Sequence, residues 1–250
     1  MEPHPAFVRF GLSHGVVMAL TVVVPALLVM ISRPDPTGRR EATIRRALAF
    51  LMAGNMAALV IIGLQNPGKD WLEFLPMHLC DWLGFIILGA LLWKKQSLYD
   101  LAYFWGLAGT LHGVITPDLQ YGFPHPYFFT FHIGHSGLLA SVAFLTFGCG
   151  LRPNRHSLPR AILMLQVYFA SAALANILLG ENFGYLCAKP EHASLLDHLG
   201  PWPWYLLSLQ AMALVSFVIY YLPWMAADAW KRRRLTEYAD RSPVGDAGDH

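Results

Sequence analysis

The sequence predicts an all-α membrane protein, a polytopic transmembrane helical bundle with seven spans, and two observations lead to this prediction. Of its 250 residues, 55% are hydrophobic and 14% are charged, whereas soluble domains carry about 25% charged residues. The apolar residues also occur in blocks of about 20 residues, the length that a helix needs to cross a bilayer core of about 30 Å. Because lipid offers the backbone no hydrogen-bond partner, each block is expected to be helical.

Seven apolar blocks follow one another along the chain. They are Phe10–Ile31, Ala47–Leu64, Pro76–Trp93, Leu98–Thr116, Tyr127–Gly150, Pro159–Gly180 and Pro201–Ala227. Proline begins three of them, where the first helical turn tolerates a missing N–H. The first block is too long for the apolar region of a signal peptide and is interpreted as a span. Residues 1–230 are therefore predicted to form one transmembrane domain, and the polar residues 231–250 a disordered cytoplasmic tail.

Basic residues fall mainly on one side of the membrane if the seven blocks alternate in direction. Fifteen of the eighteen Lys and Arg residues then lie on that side, in the segments 33–46, 94–95, 152–160 and 231–241. Only Arg9, Lys69 and Lys189 lie on the other side. Since positively charged loops stay in the cytoplasm, the N-terminus is predicted to lie outside and the C-terminus in the cytoplasm.

The residues that can carry chemistry lie mostly on the opposite side. Nine of the eleven histidines fall there or in the adjoining halves of the spans, together with seven acidic residues. Ionisable groups at membrane depth are costly and usually face a cavity. This distribution predicts one water-accessible pocket that opens outwards.

Three spans bring a thiol and imidazoles to overlapping depths. At a rise of about 1.5 Å per residue, Cys80 lies about 6 Å past Pro76, and His112 lies at a similar depth before Pro117. His132 and His135 come out at about 9 and 14 Å past the start of their span. His132 and His135, like His78 and Asp81, share one helix face because they are three residues apart.

Three interpretations of this cluster stay open on spacing alone. A Cys near a helix N-terminus and beside a His can act as a nucleophile. Imidazole, carboxylate and thiolate groups can also bind a metal, although the chain has no HExxH or CxxC motif. Polar residues can instead join helices to one another by hydrogen bonds. A further alternative is a disulfide between Cys80 and Cys187, which would abolish the nucleophile.

Several segments together resemble the YwaF-like family of bacterial integral membrane proteins, over about residues 45–225. The segments are Leu75–Asp81, Tyr103–Gly106, Thr116–Asp118, Phe128–Gly137, Asn182–Pro190 and Leu195–Tyr205. That family is related to a eukaryotic transmembrane acyltransferase that handles polyunsaturated acyl chains of ether phospholipids. More distantly, it resembles the androgen-induced-gene type of membrane hydrolases. The resemblance implies a multi-pass protein of the bacterial inner membrane, with Cys80 as nucleophile and His135 as its partner. His112 departs from the small or amide residue expected at its position.

The resulting hypothesis is a membrane-embedded acyl-transfer or lipid-ester hydrolase-type enzyme. Cys80 would attack the ester carbonyl and His135 would take the thiol proton, with His132 as the rival base. A supporting polar pocket would comprise His78, Asp81, His112, Asp118 and Asn182. A membrane lipid is the expected substrate, no soluble cofactor is required, and the short basic tail is not a nucleic-acid site.

The alternative is a non-enzymatic polytopic protein, either a transporter or a metal-binding bundle. A transporter built from inverted repeats should show two similar halves, and none is visible in the sequence. A retinal protein is disfavoured because the last span lacks a Lys for the Schiff base. Nothing in the sequence specifies an oligomeric state.

Overall fold

The computed structural model of the protein describes residues 5–33, 35–65, 72, 75–117, 119–189 and 195–241. Within these ranges the chain is helical, and the only β-type pairing is an isolated bridge between Ala6 and Tyr121. The helices are α1 Leu12–Ser32, α2 Arg39–Leu64, α3 Leu79–Trp93, α4 Gln96–Trp105, α5 Leu111–Ile115, α6 Pro126–Phe147, α7 Ser157–Leu179 and α8 Trp204–Arg241. A π-helical turn, Gly106–Thr110, joins α4 to α5.

Five of these helices, α1, α2, α6, α7 and α8, are long and apolar enough to cross a membrane. The apolar helix α3 is shorter, with 15 residues. Helix α4, the π turn and α5 form one helical run over residues 96–115. The prediction of an all-helical, multi-pass membrane protein is therefore confirmed for the described residues, and the number of seven spans stays a prediction.

The helix ends differ from the predicted blocks mainly on the basic side. Helix α2 begins at Arg39, eight residues before the predicted start. Asp35 stabilises this start by accepting hydrogen bonds from the backbone N–H of Arg40 at 2.6 Å and of Thr37 at 2.9 Å. The bond from Arg40, followed by those from Thr37, holds the pKa of Asp35 below its usual value.

Helix α8 corrects the prediction for the C-terminal tail. The span was predicted to end at Ala227 and a disordered tail to begin at Lys231, but α8 continues to Arg241. The segment 228–241 is rich in Ala, Lys, Arg, Leu and Glu, which have high helix propensity. A helix started in the membrane therefore extends beyond it without a new nucleation cost. The remainder of the predicted tail, residues 242–250, lies outside the described residues.

Side chains at the basic ends of the helices form a hydrogen-bonded cluster that joins α2, α3 and α6. Glu41 accepts hydrogen bonds from Arg45 at 3.1 Å, from Lys94 at 3.2 Å and from Cys149 at 3.2 Å. Arg45 also donates to the carbonyl oxygens of Leu91 and Leu92 at the end of α3. These carbonyls have no partner within their own helix, so Arg45 fixes the end of α3 against α2.

A second polar cluster at the same end surrounds Asp100, which is fully buried. Its carboxylate accepts hydrogen bonds from Gln96 and Ser157, both at 2.7 Å, and from Arg160. A buried charge is tolerated only when it is paired and hydrogen-bonded, and these three donors meet that requirement. The cluster joins α4 to α7.

Helix α6 contacts α1, α2, α3, α4, α5 and the π turn, and therefore lies at the centre of the bundle. Glycines allow this close approach, as small residues do generally in membrane helix packing. A Cβ atom on Gly137 would lie 2.9 Å from Met52, and one on Gly134 would lie 3.1 Å from Asn55, both in α2. A Cβ atom on Gly106 of the π turn would lie 2.8 Å from Leu138 of α6.

Candidate functional site

Cys80 occupies the second residue of α3, at the histidine-rich end of the bundle. Its side chain is exposed, and the sulfur is a free thiol, as are those of Cys149 and Cys187. The alternative disulfide between Cys80 and Cys187 is therefore not formed. Cys80 therefore presents a free, exposed thiol in the first turn of α3.

His78 and Asp81 stabilise the start of α3. Asp81 accepts a hydrogen bond from the backbone N–H of His78 at 3.0 Å, which is one half of a capping box. The His78 ring lies against Phe183 and Tyr185, and its Nδ1 accepts a hydrogen bond of 3.4 Å from the backbone N–H of Gly184. Both residues therefore hold the start of α3 in place, and neither is an unengaged side chain beside the Cys80 thiol.

Asn182 stabilises the loop after α7. Its side-chain oxygen accepts hydrogen bonds from the backbone N–H groups of Cys187 at 2.9 Å and Ala188 at 3.1 Å, and its nitrogen donates to the Ala188 carbonyl at 2.9 Å. Every polar atom of the side chain is thus used within the loop. Asn182 therefore stabilises this loop, and among the described residues no hydrogen bond joins it to Cys80.

His135 lies on α6, and its tautomer is set by its own helix. Its Nδ1 lies 2.9 Å from the carbonyl oxygen of Phe131, which can only accept, so Nδ1 carries the proton and Nε2 is left as an acceptor. The ring is stacked on Phe131, with a centroid distance of 4.1 Å. The opposite edge faces α5, where a Cβ atom on Gly113 would lie 2.9 Å from Nε2 and 2.5 Å from Cδ2. Gly113 therefore makes room for the imidazole.

His112 and Gly109 are both exposed, and they lie on the helical run that joins the π turn to α5. No Cβ atom on Gly109 would meet a neighbour within 4 Å, so the helix borders open space there. His112 makes no described side-chain hydrogen bond. Asp118, the remaining member of the predicted polar pocket, lies outside the described residues.

His132 lies on a different face of α6 from His135 and is 4% exposed. Aromatic rings surround it: Phe128 at 4.5 Å, Phe131 at 5.4 Å, Phe7 at 6.0 Å and the stacked His14 at 6.1 Å between centroids. Both of its ring nitrogens are buried and have no hydrogen-bond partner. An unpaired buried polar group costs about 1–3 kcal/mol.

His14 on α1 is the neighbour of His132 that sequence reasoning did not single out. It is fully buried, its Nδ1 accepts from the backbone N–H of Phe10 at 2.9 Å, and its Nε2 lies 2.8 Å from the carbonyl oxygen of Val114 in α5. These partners require a neutral ring that donates through Nε2. A histidine in the first turn of an otherwise apolar span was the available signal.

The described side-chain contacts of the predicted residues are mostly with neighbours in their own helices and loops. Helix α3 packs against α6 and the π turn, and α5 packs against α6, which brings the helices of Cys80, His112 and His135 together. Within the described part of the chain no hydrogen bond joins Cys80 to a histidine. The same residues contain no group of three or more His, Cys, Asp or Glu side chains arranged to hold a metal ion.

Comparisons with known proteins point to one family. The model of the TMEM164 family matches residues 9–221. A protein of Treponema pallidum (strain Nichols), described only as uncharacterized, is 29% identical over 220 residues, which cover 86% of this chain and 89% of the relative. No solved structure matches the chain. The match extends from the start of α1 into α8, and the YwaF-like assignment made from the motifs stays a prediction.

The unpaired ring of His132 predicts that His132→Phe raises the thermal stability of the protein. An aromatic ring of similar shape would keep the packing and remove the buried, unpaired nitrogens, a gain of about 1–3 kcal/mol. The measurement is the unfolding midpoint of purified protein in one detergent, followed by intrinsic Trp fluorescence.

The matched control is His14→Phe, because it removes a fully buried imidazole that has two partners. It is expected to lower the midpoint. A fall in stability for His132→Phe comparable to that for His14→Phe would show that the His132 nitrogens do have a partner.

Proposed function

Because the chain belongs to the TMEM164 family, we propose that it is a membrane-embedded enzyme that transfers or hydrolyses an acyl group of a membrane lipid. Cys80 is the nucleophile and His135 is its base. The acyl chemistry comes from the sequence resemblance described above. The structural observation that supports it best is the exposed free thiol of Cys80 in the first turn of α3, a helix that packs against α6, where His135 lies.

The state of His135 suits the role of a base. A general base needs an unprotonated nitrogen within reach of the proton that it removes. Because Nδ1 donates to Phe131, the free lone pair is on Nε2. The bond to Phe131 also holds the ring orientation, as the third member of a catalytic triad does.

His135 is preferred to His132 on the basis of their neighbours. His132 is enclosed by Phe7, Phe128 and His14, and no hydrogen bond determines which of its nitrogens carries the proton. His135 faces the side of α6 that carries α5. Of the two histidines, only His135 therefore has a defined acceptor nitrogen.

The reaction proceeds in two steps with a thioester intermediate. The Cys80 sulfur attacks the ester carbonyl of the lipid, an S–C bond forms, and the C–O bond breaks. The thiol proton passes to His135 Nε2 and then to the departing alkoxide, which leaves as a lysolipid hydroxyl. An acceptor hydroxyl or water then attacks the thioester, gives its proton to His135, and restores the thiol. No cofactor takes part.

Seven spans, with the N-terminus outside and the C-terminus in the cytoplasm, complete the proposal. Helix α3 and the run 96–115 would be the two spans beyond the five long helices. The Arg45 cluster and the Asp100 cluster lie at the basic end, which the positive-inside rule assigns to the cytoplasm. Cys80 then lies on the outer side of a bacterial inner membrane, where lipid can reach it sideways through the bilayer.

The proposed nucleophile predicts acylation of one specific cysteine. Purified protein in vesicles that contain phosphatidylethanolamine with an alkyne-tagged acyl chain should acquire the tag through a hydroxylamine-sensitive thioester. Cys80→Ala is expected to abolish the tag, and His135→Gln to lower its rate by about 10²–10⁴-fold.

The matched control is Cys187→Ala, because Cys187 is also exposed and free; it should leave the tagging unchanged. His132→Gln should also leave the rate nearly unchanged. Tagging that persists in Cys80→Ala would rule out the proposed nucleophile, and a loss in His132→Gln alone would make His132 the base.

The contact between Gly113 and His135 gives a second prediction. A Cβ atom at Gly113 would lie 2.5 Å from the His135 ring, so Gly113→Ala must displace the imidazole. Gly109→Ala, on the same helical run, meets no neighbour within 4 Å. Gly113→Ala should slow Cys80 acylation strongly while the protein stays folded in size-exclusion chromatography, and Gly109→Ala should not. Equal rates in the two variants would contradict a role for the His135 ring.

Orientation in the membrane can be tested with a membrane-impermeant maleimide on intact cells. In a chain whose only cysteine is Cys187, labelling should occur from outside. A chain whose only cysteine comes from Thr236→Cys, at an exposed position in the extension of α8, should be labelled only after permeabilisation. The reverse pattern would place the histidine-rich end in the cytoplasm.

A further inference from the structure

A groove runs along the outside of the bundle between α1, α2 and α6. It encloses about 580 Å³, which is within the range of about 300–1,000 Å³ typical of ligand sites. Its walls are almost entirely apolar and aromatic. On α1 it extends from Leu12 to Val24, and on α6 from Phe128 to Ala140.

The length of the groove matches the depth of one leaflet. Twelve residues separate Leu12 from Val24, which corresponds to about 18 Å along the helix. Half of a hydrocarbon core of about 30 Å is about 15 Å. The groove therefore begins at the histidine-rich end and stops near the middle of the membrane, whereas α1 continues to Ser32.

Two polar side chains inside the groove, Thr21 and Ser136, are paired with each other. Thr21 donates to the carbonyl oxygen of Val17 at 2.8 Å, so the 2.7 Å contact with Ser136 must use the Ser136 proton. The single hydroxyl protons of both side chains are therefore engaged. At the level of Thr21 the groove thus presents no unused donor to an occupant, which favours hydrocarbon there; the Ser13 hydroxyl lies nearer the outer end of the groove.

His132 is a buried and unpaired polar side chain at the outer part of the groove. It borders the groove, it is more than nine-tenths buried, and both ring nitrogens are unpaired. A neutral imidazole always has one N–H to donate. An ester carbonyl placed at this level, with its acyl chain running inwards along α1, would give that donor a partner once the ring turned towards the groove.

We propose that the groove binds one acyl chain of a phospholipid from the leaflet at the histidine-rich end, with the ester carbonyl beside His132. A partner helix, or α1 of a second copy, is a less suitable occupant because a helix would contact α1 along its whole length to Ser32. The site is independent of Cys80 and of the acyl transfer proposed above.

The test uses phosphatidylcholine vesicles in which one acyl chain carries a photoreactive diazirine, either near the ester or at the terminal carbon. After illumination, crosslinked residues are mapped by mass spectrometry. The near-ester probe is expected to label Phe129 and His132 at the mouth of the groove, and the terminal probe to label Val24 and Ala140 at its inner end.

Two Trp substitutions on α1 form a matched pair. Val16 lines the groove and is 50% exposed, and Val23 lies outside the groove and is 49% exposed. Val16→Trp should eliminate labelling of Ile133 and Ser136, and Val23→Trp should leave it intact. Cys80→Ala should also leave it intact, which separates this site from the proposed reaction.

Three results would overturn the proposal. The first is equal labelling of all lipid-facing helices, with no difference in labelled depth between the near-ester and the terminal probe. The second is labelling that is insensitive to Val16→Trp. The third is a dimer in lipid nanodiscs that Val16→Trp dissociates, because a second copy would then be the occupant.

Discussion

The close approach of α6 to its neighbours is the constraint on which the rest of the structure depends. Gly134 and Gly137 admit α2, and Gly106 on the π turn admits Leu138 of α6. Helices in lipid gain little from apolar burial alone, so contact at short range through small residues is a main source of their association. This packing leaves α6 almost no rotational freedom. It therefore decides which neighbours the histidines of α6 meet, and with them the two sites proposed for this protein.

The two ends of the bundle differ in one respect: the unpaired buried side chain, His132, lies at the histidine-rich end. At the basic end, Asp100 and Glu41 each receive three hydrogen bonds, and Arg45 covers the carbonyls at the end of α3. At the histidine-rich end, His132 has no partner and Cys80 stands free and exposed. Unsatisfied groups cost stability and are tolerated where they serve a function. Hydrogen bonds at the basic end hold the helices together, and the two proposals rest on His132 and Cys80 at the histidine-rich end.

The sequence predicted the helices well because burial in lipid allows only long apolar helices with paired backbones. Helix ends such as Trp93 and Leu64 agree with the predicted blocks to the residue. The extension of α8 to Arg241 was missed because a helix that continues beyond the membrane into water need not consist of apolar residues. The site was harder to predict, since spacing gives the depth of a residue but not the rotation of its helix. Cys80, His132 and His135 lie at overlapping depths, yet the two imidazoles face different neighbours.

The two proposed sites each involve a histidine of α6, and these two histidines are close in sequence. His132 and His135 are three residues apart on α6, so their directions differ by about 60° and their heights by about 4.5 Å. The bond from His14 to the Val114 carbonyl joins α1 to α5, and the His14 ring is stacked on His132. His132 therefore lies with α1 and borders the groove, whereas the His135 ring lies against Gly113 of α5. The two proposals accordingly concern different faces of α6 and can be tested independently.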